Sequence, residues 1–267
     1  PNLFSGIGYG NSVVVAGSNL HAFGGQFFRE LGFYHSPRKP TLSASSSGGF
    51  TTAGVYQVVV VYEFADKNGY LHRSAPSPIQ SVSALGSRVI TCTIETYLPS
   101  NLPTDAISLT KIIPYRTTAG GSIFYRETYY DDWYDVSGGF HQGLPLVHNN
   151  TTNATIAIEL WKPDSLLEES PKLDFSVEIC NFGNRLWIAG AASDEAVYYS
   201  KLNKANIMPE FTPAFSISIQ DKPGRSTGIS GLADKIVLAK RDRLYASYGN
   251  GPNDLGLGGD FAPFEEI

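Results

Sequence analysis

Lys235-Ile236-Val237-Leu238-Ala239, then Lys240-Arg241-Asp242-Arg243, then Leu244-Tyr245-Ala246-Ser247: a three-residue apolar run closes on alanine, a charged reversal follows, and a second short run begins. β-Formers flanking residues that tolerate turn dihedrals are hairpin chemistry. The same order occurs twice upstream. Arg185-Leu186-Trp187-Ile188-Ala189 leads through Gly190 to Ala196, with Asp194-Glu195 inside, into Val197-Tyr198-Tyr199-Ser200. Ser12-Val13-Val14-Val15-Ala16 leads through Gly17-Ser18-Asn19 into Leu20-His21-Ala22-Phe23. A hairpin repeated in this way predicts β-propeller blades or a stacked β-array.

Between the first and second copies the chain changes character. Gly54-Val55-Tyr56-Gln57-Val58-Val59-Val60-Val61-Tyr62-Glu63-Phe64 is a strong strand, broken at Asp66-Lys67-Asn68-Gly69, where glycine takes positive φ at low cost. Tyr70-Leu71-His72-Arg73 follows, then Ser74-Ala75-Pro76-Ser77-Pro78, which its prolines keep extended. Ser87 to Ile94 alternates with period two and predicts a half-buried strand. Thr110 to Thr117, the turn Ala119-Gly120-Gly121, and Ile123 to Thr128 add two more. Strands at this spacing over residues 50 to 147 fit a small β-sandwich inserted between blades. The expected fold is all-β: a propeller-like blade segment over residues 1–49, an inserted β-sandwich over 50–150, and propeller-like blades over 151–267. Short helical turns are expected only at Asp164 to Glu169, stopped by Pro171, and near Asn203 to Met208.

Composition agrees with this reading. The 267 residues suffice for one large all-β domain or two ordinary ones. With 42% hydrophobic and 17% charged residues, the chain is expected to bury a core. Its 27 Gly, 16 Pro, 15 Tyr and 15 Phe favour short strands and tight turns over a helical bundle. A net charge of −5 argues against a general nucleic-acid binder, whose domain is normally basic. The longest apolar run, Val58 to Tyr62, is strand-sized, far short of the roughly 20 residues of a membrane helix. No signal peptide is legible, and a start at Pro1 fits a trimmed chain or a fragment. Cys92 and Cys180 have no metal or redox spacing; two buried thiols are expected, with a disulfide as the alternative.

Few residues carry the patterns that catalysis or metal binding needs. His21 falls on a predicted strand, as a packed or solvent-facing side chain. His35, His72, His141 and His148 show no zinc-ligand spacing. No Gly-x-Ser-x-Gly elbow, P-loop or dinucleotide fingerprint occurs. Gly6-Ile7-Gly8-Tyr9-Gly10 leads into a strand and reads as a turn rather than a phosphate cradle. Asp131, Asp132 and Asp135 around Trp133 and Tyr134 fit either an acidic sugar-stacking site or a turn closing the insert, and the turn is preferred. The oxygen-rich stretch Gly249 to Asp260 raises calcium. It lacks a nonapeptide repeat and an EF-hand glutamate, so a blade-connecting loop is expected. Arg225, Lys235, Lys240, Arg241 and Arg243 form the one basic concentration, by default a solvated turn. Asn149, Asn150 and Asn153 match Asn-x-Ser/Thr sequons in what reads as a polar loop. No catalytic, cofactor-binding or metal residue is assigned, and no cofactor is expected.

The run from Val55 to Pro78, with its tyrosine-bearing strand, Asp-Lys-Asn-Gly turn and Ser-Ala-Pro-Ser-Pro, resembles fibronectin-type-III-like domains. Ile113-Pro114-Tyr115-Arg116-Thr117-Thr118-Ala119-Gly120-Gly121 with Phe124-Tyr125 resembles the version found in bacteriophage virion proteins. After residue 180, Asn184 to Gly190, Val197 to Ser200, Pro209, Phe211, Thr227 to Leu232, Lys240 and Leu244-Tyr245 resemble the propeller of short-tailed phage tail-tube (nozzle) proteins. These are packing and turn motifs, not catalytic ones. Members of that family are usually much longer, and no closing blade is evident before Ile267, which fits either an incomplete propeller or one completed by residues outside this chain.

The resemblance implies a non-enzymatic virion structural protein of the phage tail. Its implied partners are copies of itself in a ring, hexameric by resemblance, the portal or adaptor ring and other tail proteins. Double-stranded DNA would pass through transiently during ejection, and the fibronectin-like insert could meet a host surface receptor; no membrane span is implied. A tube that passes DNA should avoid tight phosphate contacts, which fits the acidic balance. The alternative is a carbohydrate-binding or depolymerising module, in which Trp133, Trp161 and Trp187 would line one groove. A secreted adhesin, the third reading, predicts further copies of the insert and an export signal.

Overall fold

A computed structural model describes residues 4–17, 20–25, 28–31, 36–44, 52–88, 90–93, 110–126, 146–147, 157–161, 178–190, 195–254 and 256–267. Among them every regular element is a β-strand, so the protein is all-β. The expected helical turn at Asp164 to Glu169 lies outside the described residues. The one near Asn203 to Met208 is instead a turn with Asn206 at φ 60°, followed by a parallel bridge from Ile207 to Leu71. Leu71 takes the backbone bonds that a helix would have made internally: its amide donates to Asn206 O (2.8 Å), and its carbonyl accepts from Met208 N–H (3.0 Å).

The chain divides into two compact units, Pro1–Gly32 with Asp66–His72 and Glu168–Ile267, and Phe33–Ala65 with Arg73–Leu167. These limits differ from the expected ones at residues 50 and 150. The excursion Asp66–His72 belongs to the first unit because of bonds distant in sequence. Besides the Leu71 pairing, the Tyr70 hydroxyl accepts from Asn11 N–H at 3.0 Å and its ring tilts against Tyr9.

The strands run as follows. β1 (Ser5–Tyr9), β2 (Ser12–Ala16), β3 (His21–Phe23) and β4 (Phe28–Glu30) form an antiparallel meander in that order. The second unit supplies β5 (Thr41–Ala44) and β6 (Gly54–Ala65), and β7 (Leu71–Arg73) spans the limit between the units along the chain. β8 (Gln80–Ala84), β9 (Ile90–Thr93), β10 (Lys111–Arg116), β11 (Phe124–Arg126), β12 (Leu146–Val147) and β13 (Ala157–Trp161) complete the second unit. The chain returns to the first with β14 (Glu178–Phe182), β15 (Arg185–Ala189), β16 (Ala196–Ser200) and β17 (Phe211–Ser218), a second meander. β18 (Ser226–Gly231), β19 (Lys235–Lys240), β20 (Arg243–Tyr248) and β21 (Glu265–Glu266) make the third.

In the first unit the three meanders stack by their apolar faces, the second between the other two. Val14, Ala16 and Ala22 of the first sheet pack with Ile179, Leu186 and Ile188 of the second. Trp187, Ala189 and Val197, on its opposite face, pack with Ile229, Ile236 and Leu238 of the third. Being covered on both sides, β15 is buried at every residue, so it reads as a continuous apolar run. Full burial of each such Val, Leu or Ile is worth about 1.5–3 kcal/mol.

The three alanine-closed runs are β2, β15 and β19, and they share one polarity. In β2 and β15 the alanine and the residue two before it (Val14 and Ala16, Trp187 and Ala189) face the sheet that follows in sequence. In β15 and β19 the alternate residues (Leu186 and Ile188, Ile236 and Leu238) face the sheet that precedes. The outer strands β1, β14 and β18, each first in its sheet, lie next to one another.

In the second unit, β6 pairs β10 along Val58–Glu63 and β8 along Gly54–Val58, and β11 and β13 extend the sheet beyond β10. β12, β9 and β5 form a separate three-stranded sheet. Val59, Val61, Ile113, Tyr115 and Phe124 make one core, and Tyr56, Ala84 and Ile90 another. The extended reading of Ser74 to Pro78 holds, and serine explains how. Ser74 N–H donates to Tyr62 O while its hydroxyl accepts from Tyr62 N–H, and Ser77 repeats this with Val60, all at 2.8–3.0 Å. The serine hydroxyls thus complete a ladder that prolines 76 and 78 interrupt. Of the strand expected from Ser87 to Ile94, Ile90–Thr93 is extended among the described residues, while Ser87 sits in a turn at φ 59°.

Candidate functional site

Several of the polar residues singled out from sequence hold the fold together. His72 is buried, and its Nε2 lies 3.2 Å from Asp66 Oδ2. The other Asp66 oxygen accepts from the amides of Asn68 and Tyr70, at 2.9 Å each. Burial pushes the Asp66 carboxyl up, but the His72 hydrogen bond and these amides outweigh it and hold the group below the usual carboxylate range. The Asp-Lys-Asn-Gly turn is therefore locked by its own aspartate. His21 stacks its ring on Phe28 with centroids 4.5 Å apart. His35, His141, His148, the Asp131-Asp132-Trp133-Tyr134-Asp135 cluster and the sequons at Asn149, Asn150 and Asn153 lie outside the described residues.

The loop Gly249 to Asp260 is tied to the second sheet by a group that sequence reading missed. Arg185, first residue of β15, is fully buried; its guanidinium donates to Ser200 O at 2.7 Å and to Pro252 O, and lies over the Tyr199 and Phe215 rings. Asp254 accepts from Leu202 N–H (2.9 Å) and pairs with Lys204 Nζ (2.8 Å). Asn253 Oδ1 accepts from Leu257 N–H at 3.0 Å, within the loop itself. Among the described residues no group of three His, Cys, Asp or Glu is placed to hold a metal ion.

The basic concentration is dispersed. Lys240 is buried and donates to Lys222 O at 2.8 Å, and Arg243 pairs with Glu266 at 2.6 Å. Lys235 lies over the Tyr248 ring, while Arg225 and Arg241 are exposed. Cys92 and Cys180 are both free and buried, which removes the disulfide alternative. Trp187 is fully buried between the second and third sheets, so it cannot line an open glycan groove with Trp133 and Trp161. Among the described residues no helix is long and apolar enough to cross a membrane.

The first unit also presents large apolar side chains to solvent. The outer face of the first sheet carries Val13, Phe23 and Phe28 in one cross-strand row, with Gly8 opposite Val13. The outer face of the third sheet carries Leu244 and Tyr248 in register with Ala239 and Lys235. Such faces are suited to shape-matched association rather than to chemistry. No protein-family model matches the chain, and no curated protein does.

Proposed function

We propose that this protein works by assembly: a non-enzymatic structural subunit of a short-tailed phage tail tube, located in the virion. In this reading the three meanders are propeller-type blades and the second unit is the fibronectin-like insert. The observation that carries it is the stack of three sequential four-stranded meanders whose first strands lie side by side. That is the arrangement blades adopt around a common axis. The structural use of Asp66, Arg185 and Asp254 supports a role in shape over one in catalysis. The ring would attach below a portal or adaptor and conduct double-stranded DNA during ejection, with the insert available to a host receptor. Antibody to the chain, located with gold on particles from a lysate of the source organism, tests this. Gold at the tail vertex supports the reading, and particles that stay unlabelled sink it.

A further inference from the structure

The two outer faces of the three-sheet stack are unlike each other in a defined way. In β2 and β15 the terminal alanine points at the next sheet, and in β19 the equivalent pair, Val237 and Ala239, points outward. The first sheet's outer face shows the opposite set, Val13 and Val15, equivalent to Leu186 and Ile188, which in the second sheet are covered by the sheet before. One outer face is therefore the leading half, and the other the trailing half, of a contact the chain already makes twice within itself.

The register of the first strands makes the match specific. Gly8 pairs with Val13, Asn181 with Leu186 and Gly231 with Ile236, so the three occupy one position of the repeat. At each internal contact this position meets the backbone of its equivalent in the preceding sheet. Asn181 Nδ2 donates to Gly8 O at 3.4 Å. A β-carbon on Gly231 would stand 2.7 Å from Asn181 O and 2.9 Å from Phe182 Cβ. Gly8 keeps the glycine, and among the described residues no sheet stands before it: a β-carbon there meets nothing within 4 Å. On the third sheet, the equivalents of Asn181 and Phe182 are Gly231 and Leu232, and Leu232 is 51% exposed.

We propose that the outer face of the third sheet in one copy of this chain docks on the outer face of the first sheet in another. Gly8 of the second copy is then covered by Gly231 and Leu232 of the first. The occupant is a second copy because each copy carries both halves of an interface that continues the internal stack. Such a contact is head-to-tail, and it closes into a ring if the rotation per copy allows and otherwise grows as a filament. It deepens the ring element of the proposed function by naming the interface, but it rests on the sheets alone. Gold labelling can therefore fail while self-association holds, and the reverse.

Sedimentation velocity over a concentration series tests this, with three variants of the 267-residue chain. Phe23→Glu (40% exposed) blocks the trailing face and Leu244→Glu (48% exposed) the leading face, each at a solvent-facing position, and each variant's melting transition reports whether it is folded. Gly8→Val adds bulk only where the partner would sit. The wild-type chain is expected to grow past dimer with concentration. Each Glu variant alone is expected to stay monomeric, and an equimolar mixture of the two to stop at a heterodimer, since one intact half remains on each. Gly8→Val is expected to keep the wild-type melting temperature while weakening association by roughly tenfold or more. A wild-type chain that stays monomeric throughout overturns the proposal, as it would if further sheets of a longer polypeptide were the true occupant. Self-pairing by either Glu variant overturns it too, because a symmetric contact needs only one face. Loss of association without loss of the melting transition separates docking from misfolding.

Discussion

Gly231 and Asn181 come together across two sheets so closely that a β-carbon at 231 would lie 2.7 Å from the Asn181 carbonyl oxygen. Real β-carbons do not approach backbone oxygen so closely, so the first strands of the second and third sheets can lie side by side only with glycine there. Gly231→Ala is expected to destabilise the first unit by about 1–3 kcal/mol, as overpacking of a filled core does. Urea unfolding checks this, and an unchanged midpoint would show that the strands can part without loss. Gly8→Ala, at the equivalent position with open space before it, is expected to leave the midpoint of the dilute protein unchanged.

Arg185 ties the loop at Pro252 to the second sheet from inside the core. Arg185→Ala removes the donor to two carbonyl oxygens and the cation above two aromatic rings, so a loss of about 3–5 kcal/mol is expected. Arg185→Lys should recover little of it, because one ammonium cannot reproduce the planar fork. Denaturant melts of the two variants beside the wild type decide this. Full recovery by lysine would show that charge alone, not geometry, holds the loop.

Acid should weaken the first unit through Asp66 and Asp254. Burial pushes each carboxyl up, but hydrogen bonds hold both below the usual range: His72 and two amides for Asp66, Lys204 and the Leu202 amide for Asp254. A carboxylate depressed in the folded state contributes stability above its unfolded pKa of about 3.9, and that stability is lost as pH falls through the folded value. The melting temperature is expected to fall steeply below about pH 4, and less steeply in Asp66→Asn. Parallel acid limbs in the two proteins would remove Asp66 from the account. Glu178 works in the opposite sense: burial raises its pKa, so its contribution is present at low pH and lost as pH rises.

Burial pushes the Cys92 and Cys180 thiols up to about 12, where almost no thiolate exists at neutral pH. A disulfide-exchange reagent at pH 8 is expected to label neither in the folded protein and both in urea. Rapid labelling of one without denaturant would show that its unit opens locally.

The repeated hairpins were legible because their signal is local. β-Formers closing on alanine, a reversal and a second run mark β2, β15 and β19 whatever surrounds them. The prolines of Ser74 to Pro78 announced an extended chain, but the hydroxyl bonds that seat it required knowing where Tyr62 and Val60 lie. In the sequence Arg185 is only the residue that opens a repeated hairpin run. Its burial depends on Pro252, 67 positions away, and no spacing rule links the two. Strand spacing groups the excursion Asp66–His72 with the segment around it. Tyr70 and Leu71 instead bond to Asn11, Asn206 and Met208, and such pairings leave no periodic trace.

By itself, then, the sequence determined an all-β chain, the places of its hairpins and the alternation of side chains along each strand, because these follow from backbone sterics and turn chemistry over a few residues. Only the tertiary structure decided which side of each strand faces which sheet, since β15 is apolar on both sides and alternation there has no sign. It also decided the different fates of two glycines at the same position of the repeat: Gly231 is sealed against Asn181, and Gly8 is open. The residue and its register position are the same in both, and the difference lies in whether another of the described sheets stands in front.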